Sequence, residues 1–210
     1  MTPGRRLLKA AQFKIDILHT SLELVGKNSF DQLYVESICE KVGISKVTFF
    51  KYFPQKDDIL LYYQRVWLFD RAMELSKSPK EGLKGIFYLK DELAASYYKH
   101  PGIVLGLISH LTSFKHPPGP FPLKPLERQL LHPGKEVENI DILSLNQLLE
   151  NYVLEAIFKK EITKRTDTKE IANMLLSVIY GSLVTAHLHR MGTFKVFVTR
   201  NLEMVLKGLT

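Results

Sequence analysis

The sequence predicts an all-α fold of about nine helices. Apolar residues recur at steps of three and four through most of the 210 residues, which is the period of an amphipathic helix. No segment alternates convincingly over six residues, as a half-buried strand would. Glycine or proline stands at the ends of the periodic segments, where helices start and stop. Hydrophobic residues make up 45% of the chain, enough to bury a core.

Three helices are predicted at the N-terminal end, within a domain of residues 1–54. The first is long and is ended by Gly26. The second is short, with Val35, Ile38 and Val42 on its buried face, and is broken by Gly43. The third runs from Ser45 to about Tyr52. The apolar stripe of the first helix comprises Leu8, Ala11, Ile15, Leu18, Leu22 and Val25.

The remaining helices form a predicted second domain of residues 55–210. Helices are expected near 55–76, 80–99 and 101–114, followed by a proline-rich stretch at 116–125 that reads as a connecting loop because proline lacks a backbone donor. An SH3-like partner for these prolines is a less favoured alternative. Further helices are expected on the stripe from Ile142 to Ala156, from a cap at Asp167 or Thr168 to about Met191, and at 194–209.

The positive net charge of the chain favours an anionic partner such as nucleic acid. The formal net charge is +7, and +4 of it falls in residues 1–56. Positive charge is therefore denser at the N-terminal end, although a solvated basic surface would give the same count.

Several function classes receive no support. The single cysteine, Cys39, excludes an internal disulfide and is predicted to be a buried, inert thiol rather than a redox sensor. His187 and His189 are two apart on a helix and lack a carboxylate or cysteine cluster, so no metal or cofactor is expected. No catalytic arrangement stands out, so no enzyme is predicted. The apolar stretch at 175–184 is shorter than the ~20 residues of a spanning helix, and a soluble, cytoplasmic protein without a membrane partner is expected.

The segment VESICEKVGISKVTFFKYF, residues 35–53, carries the functional signal. Gly43 suits a turn with positive φ, and the Ser45 hydroxyl can accept from a free N–H at the next helix start. Ile38, Val42, Ile44 and Phe49 would hold the two helices together. This is the pattern of a helix-turn-helix, whose second helix enters the major groove of DNA. A hairpin packed inside any all-α protein remains the alternative.

The exposed positions of the second helix suit DNA. Lys46 can donate to guanine, and Val47 can touch a thymine methyl group. Thr48, Tyr52 and Lys56 offer a hydroxyl, a phenol and an ammonium to phosphates, which position a protein without reading sequence.

The run Phe13–Leu60 resembles the N-terminal domain of the TetR family of repressors. The matching residues are Ile17, Leu18, Leu22, Gly26, Phe30, Val35, Ile38, the run Val42 to Lys46, Thr48, Phe49, Tyr52, Phe53, Lys56, Ile59 and Leu60. The resemblance implies that Lys46 and Val47 contact bases, that Thr48, Tyr52 and Lys56 contact phosphates, and that Ser45, Phe50 and Lys51 complete the DNA surface.

Three residues depart from the family pattern. Phe50 stands where tyrosine is frequent, so a hydroxyl contact is lost. Tyr34 and Gln55 replace small capping residues before the second and fourth helices, which weakens each cap by about 1 kcal/mol.

The resemblance also implies six further helices, with the last two forming a homodimer. The predicted helix at 168–191 is apolar on most faces, so one face needs a cover, which a second subunit or burial in the same chain would supply.

These observations predict a ligand-responsive repressor with an unknown small-molecule effector. Two alternatives stay open: a DNA-binding protein controlled by a protein partner, and an all-α enzyme whose DNA-binding domain has decayed. Side chains available for an effector pocket are Trp67, Tyr97, Tyr98, His110, Phe114 and His187.

Overall fold

The computed structural model describes residues 4–164 and 167–210. These residues form ten α-helices and one 3-10 turn, Phe30–Gln32, with no strand among them. The predicted all-α fold is confirmed. The helices are α1 (Arg5–Val25), α2 (Val35–Val42), α3 (Lys46–Tyr52), α4 (Asp58–Leu75), α5 (Gly82–Lys99), α6 (Pro101–Thr112), α7 (Pro125–Leu131), α8 (Leu145–Phe158), α9 (Thr168–Leu188) and α10 (Phe194–Lys207).

The chain divides into two compact units. The first comprises residues 4–73 and 99–142, and the second comprises residues 74–98, 143–164 and 167–210. The predicted division into a DNA-binding domain of residues 1–54 and an effector-binding and dimerisation domain of residues 55–210 stays a prediction.

Helix α1 is the central element of the first unit and packs against α2, α6 and α7. Ala11, Ile15, Leu18 and Val25 of its predicted stripe are buried, and Leu22 is half-buried. Leu8, at the start of the predicted apolar stripe, is 42% exposed.

The proline-rich stretch is free of helix only as far as Lys124, because α7 begins at Pro125. Pro125 occupies the first turn, where a missing N–H leaves no helical bond unmade. The sequence did not predict α7. It packs along α1, and Lys14 of α1 meets Glu127 of α7 at 2.9 Å.

Helix α6 approaches the end of α1 and the 3-10 turn closely. A Cβ on Gly102 would lie 1.8 Å from the carbonyl oxygen of Asn28, and one on Gly106 would lie 2.9 Å from the Cβ of Phe30. Both glycines therefore permit a backbone contact that a side chain would prevent.

The second unit centres on α9, which packs against α8 and α10. Its start is capped as predicted, since the Asp167 carboxylate accepts from the N–H of Lys169 at 2.7 Å. Its buried face carries Ile171, Leu175, Ile179 and Leu183.

Helix α9 has 21 residues and is apolar enough, by length and composition alone, to cross a membrane. The expectation that no apolar stretch reaches this length was wrong, because the helix continues on both sides of residues 175–184. The core helix of a soluble protein passes the same test, and α9 has the packed face of such a helix.

Candidate nucleic-acid interface

The turn between α2 and α3 has the geometry that the sequence predicted. Gly43 adopts φ +71°, in the left-handed region that favours glycine. Its N–H donates to the carbonyl of Cys39 at 2.9 Å. The Ser45 hydroxyl accepts from the N–H of Thr48 at 3.2 Å and so caps α3. These two hydrogen bonds stabilise the end of α2 and the start of α3.

The inner face of α3 anchors the helix in the first unit. Ile38, Phe49 and Phe53 are fully buried, while Val42 and Ile44 are half-buried. The rings of Phe49 and Phe53 lie 5.9 Å apart. Burial of a large aromatic side chain is worth about 2–3 kcal/mol, so this face holds α3 firmly.

The outer face of α3 is open to solvent. Val47 is 83% exposed and Phe50 is 45% exposed, and Ser45, Lys46 and Lys51 are also exposed. Residues three and four apart on a helix are surface neighbours, so Val47 lies beside Phe50 and Lys51. The Phe50 ring packs edge-on against Phe49 at 5.2 Å but keeps an open face, and Val47 is almost entirely open. They form a surface that can meet a partner with both apolar and anionic groups.

Lys46 is held by a carboxylate in this structure. Its Nζ donates to Oε1 of Glu36 on α2, and this hydrogen bond lowers the pKa of Glu36. The pair is exposed, with side-chain accessibilities of 55% and 60%. Lys46 is therefore occupied by a carboxylate of its own surface, and Glu36 would repel any phosphate that came close.

Thr48 and Tyr52 are half-buried at the side of α3. The Thr48 hydroxyl lies 3.0 Å from that of Ser45. The Tyr52 ring lies 6.4 Å from the ring of Phe13 on α1. Both side chains keep part of their surface open to solvent.

Lys56 has a structural role that the sequence did not predict. Its Nζ lies 3.3 Å from each of three carbonyl oxygens, those of Phe30, Asp31 and Leu33, and 4.9 Å from the centre of the Phe30 ring. An ammonium has three donors, so Lys56 ties the 3-10 turn to the residues before α4. Its predicted phosphate contact stays a prediction.

The departures from the family pattern have visible consequences. Tyr34 precedes α2 without a side-chain cap and is 68% exposed. The N–H of Gln55 donates to the carboxylate of Asp58, at 2.8 Å, so Asp58 caps this turn instead. Cys39 is buried, as predicted, and burial raises the pKa of its thiol.

The aromatic and histidine side chains considered for an effector pocket fall in two groups. In the first unit, Trp67 lies beside Arg71, and His110 packs against Phe114 at 4.8 Å. In the second unit, the Tyr97 hydroxyl lies 3.2 Å from Nδ1 of His187. Tyr98 accepts from the N–H of Lys195. Within residues 4–164 and 167–210, no three His, Cys, Asp or Glu side chains are placed to hold a metal.

Sequence reasoning missed two charged residues of the first unit. Lys14 is buried on α1, in the same spacing as Ala11, Ile15 and Leu18. This spacing could have predicted the burial of Lys14, since it places a lysine on the apolar face of a helix. Glu127 lies on the helix that the sequence did not predict.

Comparisons with known proteins agree with this geometry. Residues 17–63 match the family model for "Bacterial regulatory proteins, tetR family". Over 94 residues the chain is 28% identical to a fatty acid metabolism regulator protein of Bacillus subtilis, an alignment that covers 44% of this chain and 45% of that protein.

Solved structures are similar over nearly the whole chain. A Thermus thermophilus FadR, a TetR-family transcriptional repressor in complex with lauroyl-CoA, aligns with a TM-score of 0.64 and 17% identity, covering 94% of this chain and 95% of that one. The Bacillus subtilis regulator FadR in complex with stearoyl-CoA aligns with a TM-score of 0.54 and 18% identity, covering 93% and 99%. At these identities the likeness establishes the fold.

Proposed function

We propose that the chain is a repressor of the tetR family, whose model matches residues 17–63, and that it binds operator DNA and is released by a small-molecule effector. The observation that carries the proposal is the outer face of α3. Lys46, Val47, Phe50 and Lys51 are exposed there, on a helix whose inner face is anchored by buried aromatic rings. Such a helix fits the major groove of a duplex. Binding to DNA implies a cytoplasmic protein.

The proposed contacts follow the chemistry of each side chain. Lys46 and Val47, at the N-terminal end of α3, read a guanine and a thymine methyl group. Thr48, Lys51, Tyr52 and Lys56 contact phosphates, and Ser45 keeps its hydroxyl at the helix start. Phe50 packs on a sugar or a methyl group.

Release of Lys46 from Glu36 is part of binding in this proposal. An exposed ion pair holds its two partners only weakly. A bidentate contact to the correct base discriminates by about 1–3 kcal/mol. Exchange of Glu36 for a DNA base as the partner of Lys46 is therefore favourable only when the base is the correct one. The Glu36 carboxylate thus adds to specificity, because it competes with contacts to other bases.

The protein is proposed to act as a homodimer through α9 and α10. Opposite its buried face, α9 exposes Met174, Ser177, Gly181, Val184 and Leu188. Their spacing of three and four residues places them on one stripe. A Cβ on Gly181 would meet no atom within 4 Å, so the middle of the stripe is open to close approach.

The neighbouring helix, α10, also carries exposed apolar side chains. Val196 and Met204 of α10 are 66% and 59% exposed. A second copy of the chain would cover both helices and set the spacing of two α3 helices along DNA.

Long-chain acyl-CoA thioesters are the first effectors to test. Both solved relatives described above hold such a ligand, and the curated relative regulates fatty acid metabolism. An effector acts by binding better to a geometry of the dimer that does not fit the operator.

The test is selection of bound fragments from genomic DNA with the purified full-length protein. We expect recovery of a short two-fold symmetric sequence. In fluorescence anisotropy, its affinity should exceed that for a scrambled duplex by about 10³-fold or more at physiological salt. Equal affinity for both duplexes would refute sequence-specific regulation. A thermal-shift screen that finds no stabilising small molecule, despite operator binding, would refute effector control.

A further inference from the structure

Two arginines of the first unit are fastened to one short segment of backbone. Nη1 of Arg65, on α4, donates to the carbonyl of Ile142 at 3.0 Å. Nη1 of Arg128, on α7, donates to the carbonyl of Ile140 at 3.0 Å. The two guanidinium groups are thus held by carbonyls only two residues apart, and both side chains are half-buried.

Among the residues that the structure describes, no carboxylate oxygen lies within 4.0 Å of either guanidinium, so neither arginine is in an ion pair there. The neighbouring acid, Asp70, bonds instead to Nε2 of His132 at 2.8 Å. Burial lowers the pKa of Arg65, and the charge of Arg128 lowers it further. Two like charges therefore share a partly desolvated place without a counter-ion.

The hydrogen bonds of Arg65 are incomplete, whereas Arg128 donates through Nε and Nη1 to the carbonyls of Leu123, Val137 and Ile140. Nε of Arg65 is buried and has no partner. A guanidinium has five N–H donors, and Arg65 uses only Nη1, which leaves the edge formed by Nε and Nη2. That edge is the one that binds a carboxylate or phosphate through two parallel hydrogen bonds. A buried donor without a partner is commonly explained by an absent water, ion or ligand.

We propose that Arg65 and Arg128 form the site that holds the anionic group, a carboxylate or a phosphate, of the effector. The inference rests on the proposed function, because it specifies the chemistry of the compound that controls DNA binding. Phe69 supplies an apolar wall, since its buried ring lies 5.5 Å from the Arg128 guanidinium carbon. The bound compound would thus have a charged group beside an apolar part.

The site is connected to the predicted DNA-binding helices through adjacent residues. Glu127 precedes Arg128 on α7, and its carboxylate bonds Nζ of Lys14 on α1 at 2.9 Å. On α4, Tyr62 precedes Arg65 by one turn, and Nζ of Lys14 lies 4.4 Å from its ring. An anion that draws the two arginines together would therefore shift both helices that contact Lys14.

Another basic cluster in the second unit does not have this character. Lys90 and Lys195 both contact the carboxylate of Asp91, at 2.7 and 3.0 Å, and Lys90 also donates to Thr199. Their charge is therefore partly neutralised by the Asp91 carboxylate. In the part of the chain that the structure describes, the arginine pair combines like charges, an unpartnered donor and an apolar wall.

The test measures binding of four probes to the full-length protein by calorimetry and thermal shift. The probes are dodecanoate, coenzyme A, inorganic phosphate and dodecanol, at constant ionic strength. We expect at least one anionic probe to bind the wild-type protein. Binding should weaken about 10- to 100-fold in Arg65→Gln and in Arg128→Gln, which is the value of a charge-assisted hydrogen bond. Arg71→Gln, which removes the same charge from the same helix, is the matched control and should bind as the wild type does.

The probes distinguish the source of the anion. Binding of dodecanoate alone identifies a carboxylate, and binding of coenzyme A or phosphate identifies a phosphate group. If an arginine-to-glutamine variant fails to fold, Arg65→Lys and Arg128→Lys keep the charge but lose the two-pronged geometry, and each should still weaken binding.

Three results would overturn the site: no anionic probe binds, the anions bind all variants equally, or only dodecanol binds. Selection of an operator together with any of these results would leave the proposed function standing without the site. Binding that depends on the arginines, in a protein that selects no operator, would support the site and refute the proposed function.

Discussion

Removing the counter-charge of Lys14 should cost the first unit much of its stability. The change is Glu127→Gln, which keeps the shape of the side chain. Lys14 and Glu127 are 10% and 2% exposed at the side chain, and Nζ of Lys14 lies 2.9 and 3.1 Å from the two carboxylate oxygens. Breaking such a buried pair from one side costs about 3–5 kcal/mol, because the remaining charge is left without a partner.

Two features set the expected value near the lower end of this range. Nζ of Lys14 keeps a bond to the carbonyl of Pro122 at 3.3 Å and lies 5.1 Å from the ring of Phe121. The amine can also lose its proton. From a pKa of 10.5, neutralisation at pH 7 costs about 5 kcal/mol at most. Burial lowers the pKa of Lys14, which reduces that ceiling. We expect a loss of about 3 kcal/mol in the free energy of unfolding.

The assay is urea unfolding at a fixed protein concentration, since a dimer would make stability depend on concentration. Glu23→Gln is the matched control. Glu23 pairs with Lys41 at 3.4 Å, but the side chains are 71% and 49% exposed, so its loss should stay below about 1 kcal/mol. The double variant Lys14→Met/Glu127→Leu should recover most of the loss, because neither charge remains buried.

The pH dependence provides a second readout. Because the pKa of Lys14 is lowered on folding, the unfolded chain binds more protons between the lowered value and 10.5, and stability rises with pH in that interval. The rise should be steeper and begin at lower pH in Glu127→Gln. If Glu127→Gln loses no more stability than Glu23→Gln and shows no added pH dependence, the account of a buried ion pair between α1 and α7 is refuted.

Four further changes test other parts of the molecule. Lys46→Ala should relax base preference and cost about 1–3 kcal/mol for the selected operator; equal weakening on all duplexes would contradict base reading. Lys56→Ala should weaken all duplexes alike and also lower the free energy of unfolding by about 1–3 kcal/mol, because three carbonyls lose their donor; unchanged urea unfolding would contradict the structural role. Gly102→Ala should destabilise by about 1–3 kcal/mol despite the better helix propensity of alanine, since its Cβ overlaps the Asn28 carbonyl; an unchanged urea midpoint would show that α6 adapts freely. Gly181→Glu should leave the protomer folded but shift the mass measured by light scattering toward the monomer; a dimer of wild-type affinity would exclude this face.

The sequence predicted the helices well because their signals are local. The turn of α2 and α3 depends on Gly43 and Ser45, which act within a few residues of themselves. The start of α9 depends in the same way on Asp167. The outer face of α3 was predicted for the same reason, since helical spacing separates Phe49 and Phe53 from the residues between them.

Long-range pairings could not be predicted. Lys14 and Glu127 are 113 residues apart in the chain, and a charged residue on an apolar face does not identify its partner. The carbonyls that bond Lys56 come from residues 23 to 26 positions earlier. The pairing of Lys46 with Glu36 spans ten residues and a turn, so it depends on how the two helices cross. Helix α7 was missed because proline is typical both of loops and of the first turn of a helix. The run of prolines therefore did not show that a helix begins at Pro125.

The shortness of α7 explains why its contacts can control its position. A helix of seven residues is not stable by itself in water, so α7 is held by what its side chains touch. Glu127 fixes it to Lys14 on α1, and Arg128 fixes it to the backbone carbonyls of Leu123, Val137 and Ile140. A new partner for Arg128 competes with those carbonyls, and α7 resists little by itself because it has only about two turns. The same displacement acts on Glu127, whose carboxylate lies in a buried ion pair with Lys14. The strength of that pair makes α1 follow α7 rather than separate from it.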